Sequence, residues 1–365
     1  MRSLLAFLRI LLAVVLFVLA LAVVVPIHIA AVDPLVLVAT EWGHLWSVVA
    51  LGILCSGIGD ARGAASFVLA SAALLLLGSP LIRAVVLTEG PGLETIASVY
   101  RVDVDAPAEP AEREIFAPYT LSLYVADSDK DQPSPVVLAI ASRDGVSSSI
   151  ETYTPWLRSL NEAGFHVVTA DWEGDKAQPL TRLPVDAMRR WVSQHATEHQ
   201  LHRSRIALLG LDAAGTLALL EDDVFLAGRV AWSPYADLAT LWSVATSGVH
   251  SAETRWLEAL TGGPLGPETQ GQYKRLSPVQ HLQTTSRPTL ILCPARGTLK
   301  THTQCSALEP APGLSRPSMQ WVSLPWATPD GLSQPHGPTS AISRDAMANF
   351  LKRSFAVHRP PQETQ

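Results

Sequence analysis

The stretch RIALLGLDAAGTLALLE, Arg205–Glu221, decides the fold. After its single arginine, the first part is a continuous apolar run, which is typical of a strand buried on both faces of a sheet. Gly210 ends this run, and an Ala- and Leu-rich helical segment begins a few residues later. We therefore predict a buried strand, a tight turn that carries Asp212, and a helix.

Outward from this stretch, strand-like and helical segments alternate along residues 119–356. This alternation predicts an α/β domain in which a mostly parallel sheet has helices on both faces. The predicted strands are 121–126, 135–141, 165–171, 205–210, 225–233, 288–293 and 319–326, and the predicted helices are 153–163, 185–199, 237–260 and 341–355, with a short helix near Gln304. Four segments, IASRD, GLDAA, CPARG and PWATP, begin at carboxyl ends of strands and are expected to form one crevice.

The first 90 residues form a predicted membrane region with about three transmembrane helices. Three apolar runs, at 10–31, 35–58 and 63–86, are long enough to span a bilayer, although Glu41 and His44 interrupt the second. Arg2 and Arg9 favour a cytoplasmic N-terminus, so three spans place the large domain outside the cytoplasm, in a multi-pass inner or plasma membrane protein. Two alternatives stay open: the second run lies in the interface, which would put the domain inside, or the first run is a cleaved signal peptide.

Composition limits the other partners and cofactors. The net charge of −6 and the absence of a basic block argue against nucleic acid as a partner. Three cysteines rule out a disulfide framework; Cys293 and Cys305 could pair in an oxidising compartment, but two reduced thiols are the favoured interpretation. No Cys/His cluster has zinc spacing, so neither a metal nor a cofactor is predicted, and the nearby His195, His199 and His202 are expected to face water.

Two further segments are predicted from composition alone. Residues 91–118 are rich in Pro, Glu, Asp and Ala, which indicates a linker or the approach to an edge strand. Residues 357–365 are short and polar and are predicted to be a disordered tail. Within the α/β domain, Trp232, Trp242 and Trp256 are more simply core residues than the lining of a pocket.

Several segments together resemble one protein family. LNEAGFHVVTADW, RIALLGLDAAGTLALL, RPTLILCPARGTL and LPWA are similar to successive framing segments of α/β-hydrolases of the esterase/lipase type, in the BD-FAE-like or hormone-sensitive-lipase-like branch. The similarity extends from about Thr120 to Phe355. It implies an α/β-hydrolase fold, preceded here by transmembrane helices, and it matches the segment around Asp212 to the nucleophile elbow of that fold.

The resemblance also implies a catalytic apparatus that this chain lacks. Such enzymes use a serine, a histidine and an acid, together with backbone N–H groups that bind an oxyanion. The matching positions hold Asp212 for the serine, Gly297 for the acid and Pro329 for the histidine. The oxyanion glycines correspond to a segment of bulkier residues, Ala141, Ser142 and Arg143. Joint loss of all these groups predicts a catalytically impaired homologue, a pseudoenzyme.

Two interpretations of Asp212 stay open. Asp tolerates positive φ and would gain from a helix N-terminus, so the favoured role is a structural helix cap. Alternatively, Asp212 is a nucleophile, as in haloalkane dehalogenases and epoxide hydrolases, with His336 as the base and Asp330 or Asp237 as the acid. A third alternative is an ordinary esterase whose residues are misaligned here.

The predicted function is therefore that of a membrane-anchored protein that binds a ligand or partner. Its partners would be the lipid bilayer and an unknown small molecule or protein at the crevice. The predicted crevice combines the former oxyanion segment with the turn residues Gly210, Ala213 and Gly215. The alternative function is that of an active, divergent hydrolase acting through Asp212.

Overall fold

The computed structural model describes most of the chain in two compact units. The described residues are 2–24, 33–56, 64–87, 109–116, 119–126, 132–143, 146–147, 153–172, 181–245, 252–282, 285–296, 304–309, 318–324, 326–328 and 336–358. Unit 1 comprises residues 1–102, 294–299 and 324–345, and unit 2 comprises residues 103–293, 300–323 and 346–365. Thus unit 1 contains the N-terminal helices together with two short segments from late in the chain.

Unit 1 begins with four apolar helices. They are α1 (Arg2–Val24), α2 (Asp33–Glu41), α3 (Gly43–Ser56) and α4 (Ala64–Leu87). Among the described residues, α1 and α4 are long and apolar enough to cross a membrane. The second predicted run breaks at Trp42, where α2 and α3 meet at a bend of 71°; counted together, they make a third segment that meets these criteria. The interruption lies where the sequence has Glu41 and His44, and both side chains are buried.

Unit 2 is built on a nine-stranded mixed sheet, which confirms the predicted α/β class. The strands are β1 (Glu112–Phe116), β2 (Tyr119–Tyr124), β3 (Ser134–Arg143), β4 (Val146–Ser147), β5 (His166–Trp172), β6 (Leu201–Asp212), β7 (Leu226–Trp232), β8 (Thr289–Pro294) and β9 (Met319–Leu324). Their order is β1-β2-β5-β3-β6-β7-β8-β9, and β4 pairs with β3 outside this path. The neighbours from β5 through β8 are parallel, whereas β1 and β2 pair antiparallel at the edge.

Most of the helices that follow the strands are short, but the last has 20 residues. They are α5 (Thr154–Glu162), α6 (Val185–His195), α7 (Ala213–Leu220), α8 (Leu238–Ala245), α9 (Ala252–Thr261), α10 (Gln270–Arg275), α11 (Pro278–His281) and α12 (Pro338–Val357). Every residue of β7 and β8 is buried, as expected for strands covered on both faces. The predicted tryptophan core is confirmed for Trp232 and Trp256, and Trp242 packs against the core from a half-buried position.

Strand β1 lies inside the region predicted as a linker. Its residues alternate between half-buried and exposed, and it pairs with β2 from Glu112↔Leu123 to Phe116↔Tyr119. Charged residues gave this region the composition of a linker, but an edge strand accommodates such charges because neither of its faces is fully covered. The predicted edge-strand approach therefore describes residues 112–116 better than the linker does.

The two cysteines of unit 2 are paired. Cys293 at the end of β8 and Cys305 form a disulfide with their Cα atoms 5.6 Å apart, and both are buried. The prediction of two reduced thiols is therefore wrong. Sequence spacing alone could not reveal the pairing, because a separation of 12 residues is compatible with two separate thiols as well as with a disulfide.

Arginines contact the ends of the helices of unit 1. Arg9, near the start of α1, donates to the carbonyl of Ser56 at the end of α3, at 3.2 Å. Arg296, two residues beyond β8, donates to the carbonyls of Ala22 (3.5 Å) and Val23 (2.6 Å) near the end of α1. The last carbonyls of a helix have no intrahelical partner, and the helix dipole favours a cation there. Arg296 therefore connects the segment after β8 to α1 through hydrogen bonds.

A second set of hydrogen bonds connects α2 to the start of α12. The carboxyl group of Glu41 accepts from the hydroxyl and, at 3.2 Å, from the backbone N–H of Thr339, and both residues are fully buried. Gly337 precedes this helix with φ of 117°, and a Cβ there would collide with Glu41 Oε2. Only glycine fits both this backbone conformation and this close approach.

We predict that this contact stabilises the folded chain through the Thr339 hydroxyl. Thr339→Val removes one of the donors to a buried acceptor and should cost about 1–3 kcal/mol. Thr339→Ser keeps the donor and is the matched control. Thermal unfolding of the detergent-solubilised chain should give a clearly lower Tm for Thr339→Val than for Thr339→Ser; equal values would refute a stabilising role for this hydrogen bond.

Candidate active site

The turn at Asp212 has the geometry that the sequence predicted. Asp212 has φ of 57° and ψ of −121°, between the end of β6 and the start of α7. A Cβ at Gly210 would collide with the carbonyl of Ala214, and one at Gly215 would lie 2.9 Å from the carbonyl oxygen of Trp232. Both glycines are therefore required, because α7 packs directly against β6 and β7.

The side chain of Asp212 does not make the predicted cap. Asp212 stands at the N-cap position of α7, but among the described residues its carboxylate accepts no hydrogen bond from the first turn of that helix. Instead, Oδ2 accepts a hydrogen bond of 3.0 Å from the hydroxyl of Tyr153, just before α5. The carboxylate is therefore directed toward a buried tyrosine, 59 residues earlier in the chain, rather than toward its own helix.

The former oxyanion segment is part of the sheet. Strand β3 continues through Ala141 and Ser142 to Arg143, and its parallel ladder with β6 ends at Ser142↔Asp212. The short strand β4 then folds back, with Ser142 opposite Ser147. Ala141, Ser142 and Ala213 are all buried. The segment that matches the oxyanion glycines is thus extended backbone, paired with β6 at Ala141 and Ser142 and with β4 at Ser142 and Arg143.

Comparisons with known proteins are informative only at the level of structure. No protein-family model and no curated protein sequence matches the chain. A puromycin-hydrolysing peptidase of Mycobacterium tuberculosis superposes with a TM-score of 0.52 at 13% identity, over 69% of this chain and 40% of that one. A puromycin hydrolase gives 0.50 at 18% identity, over 70% and 41%. An esterase of Rhizomucor miehei gives 0.49 at 15% identity, over 76% and 96%.

Unit 2 therefore has the α/β-hydrolase fold. This chain spans about two fifths of the length of the two puromycin-hydrolysing proteins. At these identities the likeness concerns the fold and not the reaction. In α/β-hydrolases the nucleophile elbow joins a central parallel strand to the following helix, and the Asp212 turn joins β6 to α7 in the same way.

The four predicted crevice segments meet in pairs. In unit 2, IASRD and GLDAA adjoin through the Ser142↔Asp212 pairing. In unit 1, the other two segments adjoin, because the Ala295 N–H donates to the carbonyl of Leu324 (3.1 Å) and the Arg296 N–H to that of Ala327 (2.8 Å). His336 also belongs to unit 1, where its ring lies 6.3 Å from that of Trp42, edge to face.

The remaining predicted site residues either lie outside the described residues or have a structural role. Gly297, Pro329 and Asp330 lie outside the described residues, and Arg143 is described by its backbone alone. Asp237, one of two candidate acids, caps α8: its Oδ1 accepts from the N–H groups of Ala239 (2.9 Å) and Thr240 (3.2 Å). In this role Asp237 uses a carboxylate oxygen, which a catalytic acid would offer as hydrogen-bond acceptor to a histidine.

Sequence reasoning missed Tyr153. This residue was predicted only as the start of a helix, yet its hydroxyl is the described donor to Asp212. It lies beside an aromatic cluster in which Trp156 and Trp232 pack edge to face, with ring centroids 4.2 Å apart. No spacing or motif in the sequence marks a contact over this separation, so only the fold reveals it.

We predict that Asp212 is retained partly because it tolerates its strained backbone. Asp212→Asn keeps both an acceptor for Tyr153 and a tolerance for positive φ, so it should unfold like the wild type. Asp212→Ala loses the hydrogen bond and strains the backbone, at a cost of about 1–3 kcal/mol. Asp212→Gly loses only the hydrogen bond. Unfolding in denaturant, followed by tryptophan fluorescence, gives the comparison.

The glycine variant supplies the decisive control. At an unstrained position glycine is less stable than alanine by about 0.4–1 kcal/mol. We expect Asp212→Gly to be at least as stable as Asp212→Ala. If Asp212→Gly is instead less stable than Asp212→Ala by about 0.4–1 kcal/mol, the turn carries no strain. The backbone explanation for Asp212 is then wrong.

Proposed function

We propose that the chain is a membrane-attached protein of α/β-hydrolase fold that binds a ligand or partner at the elbow without hydrolysing it. The observation that carries this proposal is the occupant of the elbow: a carboxylate, Asp212, held by the Tyr153 hydroxyl where an esterase has its serine. A carboxylate only accepts hydrogen bonds, so the ligand should present N–H or O–H groups to it.

Two segments that the resemblance would make catalytic support binding over hydrolysis. Acyl transfer needs backbone N–H groups that are directed at a developing oxyanion. Here the matching segment is paired with β6 and β4 as part of the sheet, up to Ser142 and Arg143. The segment after β8 contributes Arg296, which contacts the carbonyls at the end of α1. Both segments therefore make structural contacts. We propose that these contacts replace the catalytic roles that the resemblance implied.

A second function is favoured by one observation. The elbow keeps the positive φ and the close glycine contacts that present a nucleophile in this fold. A carboxylate in that position forms an ester intermediate in haloalkane dehalogenases and epoxide hydrolases, which then requires a base to activate water. His336 was the candidate base, and this alternative requires His336 to serve the elbow.

Turnover assays separate the two functions. We expect the purified full-length chain to hydrolyse short acyl esters, an epoxide and a haloalkane no faster than buffer. Asp212→Ser should not create an esterase, since a serine needs a base to take its proton. Asp212→Asn is the control variant, because it removes the nucleophilic carboxylate but keeps the backbone and the contact with Tyr153.

The opposite result would identify an enzyme. Loss of a nucleophile lowers the rate by many powers of ten, so turnover by the wild type that Asp212→Asn abolishes would overturn the binding proposal. Intact mass spectrometry after brief exposure to the active substrate should then detect a covalent adduct on Asp212. Turnover that survives Asp212→Asn would instead indicate catalysis by other residues. The chain would then be an esterase whose catalytic residues are not those matched to the family above.

We propose in addition that the membrane region has three spans and that unit 2 lies outside the cytoplasm. Arg9, near the start of α1, contacts the end of α3, so α3 returns toward the side on which α1 begins. With Arg2 and Arg9 in the cytoplasm, α4 then leads outward again. The disulfide between Cys293 and Cys305 supports this orientation, because disulfides persist in oxidising compartments.

Cysteine labelling in intact cells tests this topology. The side chain of Arg182 is 84% exposed, so Arg182→Cys in a Cys55→Ala background offers one accessible thiol in unit 2. We expect it to react with a membrane-impermeant maleimide before lysis, whereas Ser3→Cys at the predicted cytoplasmic end should react only after lysis. The reverse pattern would place unit 2 in the cytoplasm and favour two spans.

A further inference from the structure

A cluster of carboxylates and imidazoles lies at the sheet edge, in unit 2. Glu112 and Glu114 are two residues apart on β1, so their side chains leave the same face of the strand. His195 ends α6, and the N–H of His199 donates to its carbonyl at 3.1 Å, so the two histidines keep helical spacing and share a face. The edge strand and the helix therefore present two Glu and two His side chains to one another.

The two histidines do not face water as the sequence predicted. Their side chains are only 19% and 20% exposed. The reason is the edge strand, which was predicted as part of a linker and which brings Glu114 to His195 and Glu112 to His199. Their rings stack above Trp191, which is fully buried, with the centroid of His195 4.3 Å from that of Trp191.

The possible ligand atoms of this cluster lie close together. The ligand atoms of Glu112, Glu114 and His195 all lie within 4.8 Å of one another. The Nε2 of His195 is 3.4 Å from Oε2 of Glu114. Tetrahedral ligands at about 2.0 Å from zinc are themselves about 3.3 Å apart, so this pair already has the required separation.

The contacts behind these atoms orient them for a metal. Nδ1 of His195 lies 2.9 Å from the carbonyl of Trp191, which only accepts, so Nδ1 carries the proton and Nε2 offers its lone pair to the cluster. The indole N–H of Trp191 donates to Oε2 of Glu114. Metal-binding histidines usually have such a carbonyl on the second ring nitrogen, and ligating carboxylates are hydrogen-bonded in turn.

Glu112 and His199 form a buried contact with poor hydrogen-bond geometry. Oε2 of Glu112 and Nε2 of His199 contact each other and are buried, yet neither has a hydrogen bond of acceptable geometry with any described atom. A cation bound by Glu112 would satisfy its oxygen directly and would give His199 a carboxylate of fixed orientation to contact.

We propose that Glu112, Glu114 and His195 bind a divalent transition-metal ion of the zinc type, with His199 as a positioning residue for Glu112. Mixed imidazole and carboxylate ligands suit such ions. The ion would join the edge strand β1 to α6, two elements far apart in the chain, and so would stabilise the folded state. The prediction that the chain binds no metal considered only Cys/His spacing, which misses ligands contributed by a strand.

Metal titration of the full-length, detergent-solubilised chain tests the site. After treatment with chelator and its removal, we expect the chain to bind one equivalent of Zn²⁺, measured by calorimetry and by metal analysis, and to unfold at a higher temperature when Zn²⁺ is present. Glu114→Gln and His195→Gln should each weaken binding by roughly 100-fold or more, and His199→Gln by about 10-fold. Glu198→Gln and His202→Gln, neighbours outside the cluster, are the controls and should bind as the wild type does.

The variants also separate binding from folding. Circular dichroism and unfolding without metal give the stability of each variant, and only variants that match the wild type there are compared. The inference is overturned if the wild type takes up no Zn²⁺ at micromolar concentration, or if Glu114→Gln and His195→Gln both keep its affinity and its rise in unfolding temperature. Equal weakening in the two control variants would likewise place the metal elsewhere.

Discussion

The close approach of α7 to β6 is the constraint on which the site depends. The helix starts directly after Asp212 and leaves no room for a Cβ at Gly210 or Gly215. That packing forces the connecting residue into positive φ, whichever side chain it carries. The backbone of a nucleophile elbow can therefore persist when its chemistry changes, because core packing and not catalysis maintains it. With φ of 57° and ψ of −121°, Asp212 lies outside the left-handed helical region, so the turn is strained for a residue with a Cβ.

The elbow helix is also held at its other end. Arg229, in the middle of the otherwise apolar β7, is 2% exposed and donates to the carbonyls of Leu219 (2.8 Å) and Glu221 (2.7 Å) at the end of α7. Its remaining donors contact Thr285 and Thr289. Burial lowers the pKa of Arg229 to about 10, so it stays charged at neutral pH. A buried cation at the helix C-terminus thus fixes α7 from the side opposite Asp212.

Local patterns in the sequence predicted the sheet but not the contacts between distant segments. Continuous apolar runs located the buried strands, and the two glycines with Asp212 located the turn. The contact of Tyr153 with Asp212, the pairing of Cys293 with Cys305, and the cluster on β1 each join segments that only the fold brings together. Residues of an edge strand are also hard to distinguish from a linker by composition, because both are rich in charge.

The segments that follow β8 and β9 make buried contacts with the N-terminal helices. In the family that the sequence resembles, these segments carry the acid and the histidine, whose polar atoms must remain available to each other. Here, both segments belong to the unit of the N-terminal helices. Arg296 donates to the end of α1, and Thr339 donates to Glu41 of α2. Both segments thus contribute hydrogen bonds to the packing of unit 1, and these contacts fix the positions of Arg296 and Thr339 against the helices.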